Sequence, residues 1–328
     1  PATNSPSVRE RESGTGFQRI FFAARESSTN PHPNCIVRSM PQAPPTQDCV
    51  PTPEPRPSLH RRLSAPWRIL PDFLLIGAQK SGTTDLDRRI SRSPRILPRA
   101  AKECRVLAGS HPSKLRYRSL QESGFRRNRL RNRLGGRLRA GDACPYYLFH
   151  PRTPTIARDL LGPEIDLVVL LRDPALRAWS HHRHERRLGV ETLDFENAIE
   201  QEPARLAGES QRLLDHPHAV SGPHEHFSYL ARGRYAEQLE RWLEAFGPER
   251  ILVLFSEDHF KDPEGTSNRV LDWLGLPPNP MDDPAPIANR GDGEVPPPEV
   301  LARLRARFAP ENERLARLLG RPVPWPDA

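Results

Sequence analysis

Phe73-Leu-Leu-Ile-Gly-Ala-Gln-Lys-Ser-Gly-Thr-Thr84 decides the fold. Phe73–Gly77 is a short apolar run ending in glycine, the pattern of a buried parallel strand that feeds a loop. Residues from Thr84 to about Arg92 read as a helix stopped by Pro94. A strand, a glycine-bearing turn and a helix start bring backbone N–H groups and a helix N-terminus around one point, the arrangement that holds an anion. Lys80 adds a compact positive charge, and Ser81, Thr83 and Thr84 add hydroxyls. The stretch is not an ATPase-type P-loop, which needs Gly-Lys-Ser/Thr after four intervening residues, whereas here Lys80 follows Gln79 and precedes Gly82.

Working outward, Asp166–Leu171 and Ile251–Phe255 are two more apolar runs of strand length. Between them Tyr235, Leu239, Trp242, Leu243 and Phe246 recur at helical spacing, and Gly247-Pro248 ends the helix. Further helices are expected around Thr266–Leu274 and Glu299–Leu319. Strands alternating with helices predict an α/β fold, a parallel central sheet flanked by helices. Residues 1–66, rich in Pro, Ser, Arg and Thr, are expected to be disordered or loosely packed, with the folded domain spanning 67–328.

Composition narrows the function. The chain has 328 residues, 36% of them hydrophobic, and a formal net charge of +8. Its basic residues are almost all arginine; lysine stands only at positions 80, 102, 114 and 261. The balance points to an anionic partner. Cys35, Cys49, Cys104 and Cys144 show no metal-ligand or disulfide spacing, so neither a zinc site nor a disulfide scaffold is expected. No apolar run approaches the length of a membrane span, so no membrane partner is expected, and reduced thiols favour the cytoplasm.

A second segment carries phosphate chemistry. Leu171-Arg-Asp-Pro-Ala-Leu-Arg-Ala-Trp-Ser-His181 places Arg172 at a strand end, Pro174 at a helix start and Ser180 on that helix. The planar fork of an arginine suits phosphate. Together, Gly77–Thr84 and Leu171–His181 resemble the two cofactor motifs of sulfotransferases that use 3′-phosphoadenosine-5′-phosphosulfate (PAPS), in the heparan-sulfate-type carbohydrate branch and its bacterial relatives. The resemblance continues through Gly141–Pro151, Arg232–Leu243 and Ile251–Pro263 and covers roughly Pro71 to Gly320.

The resemblance implies a P-loop-NTPase-like sulfotransferase fold and transfer of a sulfuryl group from PAPS to a hydroxyl, on a glycan or small molecule, with PAP as product and no metal required. It implies that Gln79, Lys80, Ser81, Gly82, Thr83 and Thr84 hold the 5′-phosphosulfate, that Arg172 and Ser180 hold the 3′-phosphate, and that Arg290 contacts the cofactor. Lys80 would neutralise charge on the leaving group. Lys102-Glu103 matches the family's Lys-Glu pair, which makes Glu103 the expected general base, preferred over Asp142 as second candidate. Cys104-Arg-Val-Leu107 departs from the hydrophobic-His-Phe-Phe that follows in relatives. The rivals are a P-loop-like nucleotide kinase or NTPase and a PAP-binding protein of this fold without activity. Arg126–Arg139 reads as a solvated basic face in preference to a nucleic-acid or glycan grip, and His181, His182, His184 and Glu185 as a surface run in preference to a metal site.

Overall fold

In the computed structural model, the described residues are 49–279 and 295–326. Five strands form the sheet: β1 (Phe73–Gly77), β2 (Ile96–Leu97), β3 (Arg139–Ala143), β4 (Asp166–Leu171) and β5 (Ile251–Phe255). The helices in chain order are α1 (Leu59–Leu63), α2 (Thr83–Ile90), α3 (Lys114–Leu120), α4 (Gly124–Leu134), α5 (Tyr146–Phe149), α6 (Thr153–Leu161) and α7 (Pro174–Arg187). They continue with α8 (Phe195–Leu206), α9 (Glu209–Asp215), α10 (Gly222–His226), α11 (Tyr235–Phe246), α12 (Ser256–Lys261), α13 (Pro263–Trp273) and α14 (Pro298–Leu319).

All strand pairs are parallel, in the order β2-β3-β1-β4-β5. The two-residue alternation of β1 and β4 divides the core. Leu74, Ile76, Leu167, Val169 and Leu171 pack with Tyr235, Leu239, Trp242 and Phe246 of α11. Phe73, Leu75, Val168 and Leu170 face the other way, onto Leu86 and Ile90 of α2, Val270 and Leu271 of α13, and Leu274 just after it. Connections leave β1 toward β3 on one side and β4 toward β5 on the other. The carboxyl ends of β1 and β4 therefore flank the crevice where open α/β sheets bind ligands.

The expected strands at 73–77, 166–171 and 251–255 and the helix at 235–246 have the expected bounds. β3 carries no apolar run because its burial is of another kind. Its Gly141 lies so close to β1 that a Cβ there would fall 2.2 Å from the Phe73 ring. Arg139 is buried against Asp166 at 2.5 Å and donates to the Leu274 carbonyl at 2.9 Å. Asp142 is fully buried and accepts from the Cys104 N–H at 3.2 Å and from the hydroxyls of Tyr117 at 2.5 Å and Tyr147 at 2.9 Å. Burial, and then Asp142, pushes both phenols well above the usual tyrosine range, so both stay donors.

The folded body begins before the expected boundary at residue 67. Glu54 pairs with Arg116 and accepts from the Ser110 N–H at 3.0 Å, and Arg61 donates to the Ser119 and Gln121 carbonyls at 2.9 and 2.6 Å. Residues 1–48 lie outside the described residues.

The Asp142 network yields a test. Asp142→Asn puts an amide where two hydroxyls and an N–H converge, leaving buried donors unpaired. It should cost about 2–4 kcal/mol, a fall in Tm of roughly 5–10 °C, read by thermal melting. A melt unchanged from wild type would show that the network contributes little.

Candidate active site

The loop after β1 is fixed from several directions. The Ala78 N–H donates to the Leu170 carbonyl at 2.8 Å, and an Arg172 N–H donates to the Lys80 carbonyl at 3.0 Å. The Ser256 hydroxyl lies 2.6 Å from the Ser81 carbonyl and 2.9 Å from the Leu171 carbonyl, joining the loop to the ends of β4 and β5. These ties hold Lys80 in the left-handed region at φ 67°, which costs an ordinary residue about 1–2 kcal/mol. Gly82 follows at φ 90° as N-cap of α2, where the lack of a Cβ removes that cost. The first N–H groups of α2 then open toward the space in front of the loop.

That space is a cleft of about 920 Å³. Gln79, Lys80, Gly82, Thr83 and Thr84 line it from the loop, Arg172 and Ser180 from β4 and α7, and Lys102 and Glu103 from the segment beside β3. Sequence motifs ninety residues apart are thus brought together. Asp173 is the N-cap of α7, accepting from Ala175 N–H at 2.9 Å, and is also paired with Arg305 at 3.1 Å. Lys102 donates to the Thr84 hydroxyl and sits 3.6 Å from the Glu103 carboxylate. Glu103 has φ 56°, and its N–H donates to the Ala143 carbonyl at 3.1 Å.

Two expected site residues are not in this cleft. Ser81 is fully buried behind the loop and does not line it. Asp142 is walled into the core, with its oxygens taken by the two tyrosines and Cys104, so it is not positioned to serve as a base. Arg290 lies outside the described residues.

The histidine run is not on the surface either. His181, His182 and Glu185 are buried, because one face of α7 packs inward. His226 contacts Glu185 at 2.8 Å and His181 lies 3.3 Å from the same carboxylate. Burial alone pushes the Glu185 carboxyl up, but the hydrogen bonds from His181 and His226 outweigh it and hold it below the usual range. Among the described residues, no group of three or more His, Cys, Asp or Glu side chains is placed to hold a metal ion.

Sequence reasoning missed the opposite wall. Arg105, standing where the family pattern has histidine, pairs with Glu225 at 2.7 Å, and both line the cleft with Tyr146, His226 and Arg232. Arg232 is buried, 4.9 Å above the Tyr146 ring, and donates to the Gln79 side chain at 2.5 Å. Arg232 and Tyr146 had a signal, since they lie in the 232–243 and 141–151 segments of the resemblance; Glu225 and His226 sit in a five-residue helix with no periodicity to reveal them.

The charge in the cleft is one-sided. Lys80, Lys102, Arg105, Arg172, Arg183, Arg187 and Arg232 line it against Glu103, Glu185 and Glu225. Burial, and then Arg187, Arg172 and Arg177, pushes the Lys80 ammonium down to about 8, with Glu185 opposing the shift.

Known proteins share this architecture. Residues 70–288 match the sulfotransferase domain. A solved sulfotransferase from Alicyclobacillus acidocaldarius is 28% identical and aligns over 78% of this chain and 98% of its own, with a TM-score of 0.55. A membrane-associated sulfotransferase of Dictyostelium discoideum is 23% identical over 78% of this chain and 66% of its own length. A heparan sulfate glucosamine 3-O-sulfotransferase of Mus musculus is 26% identical over 69% and 61%. A bifunctional heparan sulfate N-deacetylase/N-sulfotransferase of Caenorhabditis elegans is 25% identical over 66% of this chain and 23% of its own. The chain thus spans between about a quarter and two thirds of the length of these curated relatives. With two thirds of its residues matched by one domain, on a sheet whose central loop forms the cleft, the chain belongs to the sulfotransferase family.

Proposed function

We propose that this chain transfers a sulfuryl group from PAPS to a hydroxyl of a carbohydrate. The observation that carries the reading is the junction of the Lys80 loop, Arg172 and Ser180 with Glu103 in one cationic cleft. The names of the heparan sulfate relatives support a glycan acceptor, and the excess of cations lining the cleft suits an acidic one.

The residues fit PAPS by the chemistry of their donors. A bisphosphate nucleotide is a polyanion, and here lysine, arginine, hydroxyl and helix N-terminal N–H groups converge with cations in excess. Arg172 and Ser180 would hold the 3′-phosphate; Gln79, Lys80, Thr83 and Thr84 would hold the phosphosulfate, with Ser81 limited to its backbone. When bound, PAPS supplies the sulfuryl group for in-line displacement by the acceptor oxygen. Lys80 carries a proton and neutralises charge at the leaving oxygen, preorganised by its anchored loop. Glu103 takes the proton of the acceptor hydroxyl. It suits that role because its only ion pair among the described residues, to Lys102, is loose at 3.6 Å and partly exposed, whereas Glu185 and Glu225 are locked to partners. Phosphoryl transfer would need an acid for a metal at the end of β4. Asp173, in that place, is committed to the α7 cap and Arg305.

Glu103→Gln should leave PAP affinity within about twofold while turnover falls ~10²–10⁴-fold in a PAPS consumption assay with glycan acceptors. Full turnover in that variant would remove Glu103 from the role, and a wild type that binds PAP but consumes no PAPS would favour the inactive binding protein.

The lowered Lys80 group gives a pH signature. A bound anion favours the charged ammonium, so binding raises the pKa from about 8 and takes up a proton above that pH. PAP affinity should therefore fall as pH rises through 8. Calorimetry at pH near 9, in buffers of different ionisation enthalpy, should register net proton uptake that Lys80→Met abolishes. Uptake identical in the variant would assign the effect elsewhere.

A further inference from the structure

An apolar patch that the fold does not use lies at the other end of the sheet. β1 runs from Phe73 toward the cleft at Gly77, and Asp72, just before it, accepts from Arg127 of α4 at 3.2 Å. α4 thus borders the edge where the strands begin. Nearby, α1 is tied to the body through Arg61, which donates to the Ser119 and Gln121 carbonyls. Positions 59 and 63 lie one turn apart, on the side of α1 opposite Arg61. Leu59 and Leu63 accordingly stand 67% and 68% exposed.

The chain then makes a single turn, Ala65–Trp67, that leaves Trp67 73% exposed. Arg68 bridges to Ser123, and a Cβ on Gly124 would meet the Trp67 carbonyl at 3.3 Å, so the turn abuts the start of α4. There Phe125 is 80% exposed. Single exposed apolar residues are ordinary, but four large ones on adjoining segments, two of them aromatic, mark an interaction surface.

The charge beside the patch is as lopsided as its polarity. α4 carries Arg126, Arg127, Arg129, Arg131 and Arg133 and no acidic residue. Arg129, Arg131 and Arg133 are exposed along it, while Leu130 and Leu134 seat the helix on Leu97, Leu138 and Ala140. We propose that α1, the Ala65–Trp67 turn and α4 form a docking surface for an anionic lipid bilayer. Trp67, Phe125 and the two leucines enter the headgroup boundary, and the α4 arginines meet lipid phosphates. Neither half of the surface suffices for another partner: a soluble polyanion has no use for the exposed tryptophan and phenylalanine, and a second copy would set five arginines against five. This is attachment to one leaflet; no helix of the described residues is long and apolar enough to cross a membrane. It goes beyond the expectation of no membrane partner, which was read from spans alone. With the patch at the strand beginnings and the cleft at the strand ends, docking leaves the cleft facing water.

The test is sedimentation of the full chain with phosphatidylcholine vesicles and with vesicles containing about 30% phosphatidylserine, at low and high salt. The chain should bind the anionic vesicles, less so at high salt, with a blue shift of tryptophan emission that Trp67→Ser removes. Trp67→Ser/Phe125→Ser, and separately Arg129→Ser/Arg131→Ser/Arg133→Ser, should each weaken binding about tenfold or more. Melting temperature and cleft activity should stay unchanged, since these side chains are exposed and remote from it. Absence of binding to anionic vesicles overturns the proposal, as does equal binding by the Trp67/Phe125 variant. So does heparin capture through α4 without vesicle binding, or self-association that these substitutions abolish.

Discussion

The Ser256 hydroxyl, set between the carbonyls of Ser81 and Leu171, is the constraint on which the cleft depends. Together with the Arg172 contact to the Lys80 carbonyl and the Ala78 contact to Leu170, it makes one rigid corner of β1, β4 and the start of α12. Arg172 takes part twice: it braces the backbone of the loop and it lines the anion cleft. The same guanidinium therefore couples the shape of the loop to the charge in front of it.

Most of the scaffold was legible because burial and periodicity agree there. Strands 73–77, 166–171 and 251–255 are buried on both faces and read as apolar runs, and α11 shows its buried stripe at helical spacing. β3 was illegible because its interior is polar and pair-satisfied: Arg139 on Asp166, Asp142 under two tyrosines, and a glycine under Phe73. The same physics misled the reading of the site. Asp142 stands in a segment of the resemblance and was the second candidate base, yet it is buried in the core under two tyrosines. The polar letters of α7 look like a solvated face, yet His181 and Glu185 are buried, with Glu185 held by His226. The loop, Arg172, Ser180 and Glu103 were legible because their chemistry is local to each motif. Arg105, Glu225 and Glu185 meet only through tertiary contacts.

The part of the cleft around Arg105 differs in character from the part around Lys80. Arg105 and Glu225 are nearly buried and neutralise each other, with the Thr52 N–H adding a bond at 3.2 Å. A buried pair of this kind contributes little net stability but fixes a geometry. Residues 49–54, outside the expected domain, thus reach the rim of the cleft through Thr52 and brace the α3 region through Glu54.

Lys80, Glu103 and Arg105 are the non-glycine residues with left-handed backbone among those described, and all three line the cleft. Each conformation is unfavourable for a side-chain-bearing residue, by about 1–3 kcal/mol, so the lining of the cleft is assembled at the expense of the stability of the fold. Under the roles proposed for Lys80 and Glu103, heat tolerance and catalysis pull on the same positions in opposite directions. A lineage or a laboratory selection rewarding only thermal endurance would drift toward glycine or asparagine there, and would reach a sturdier protein by dismantling its chemistry.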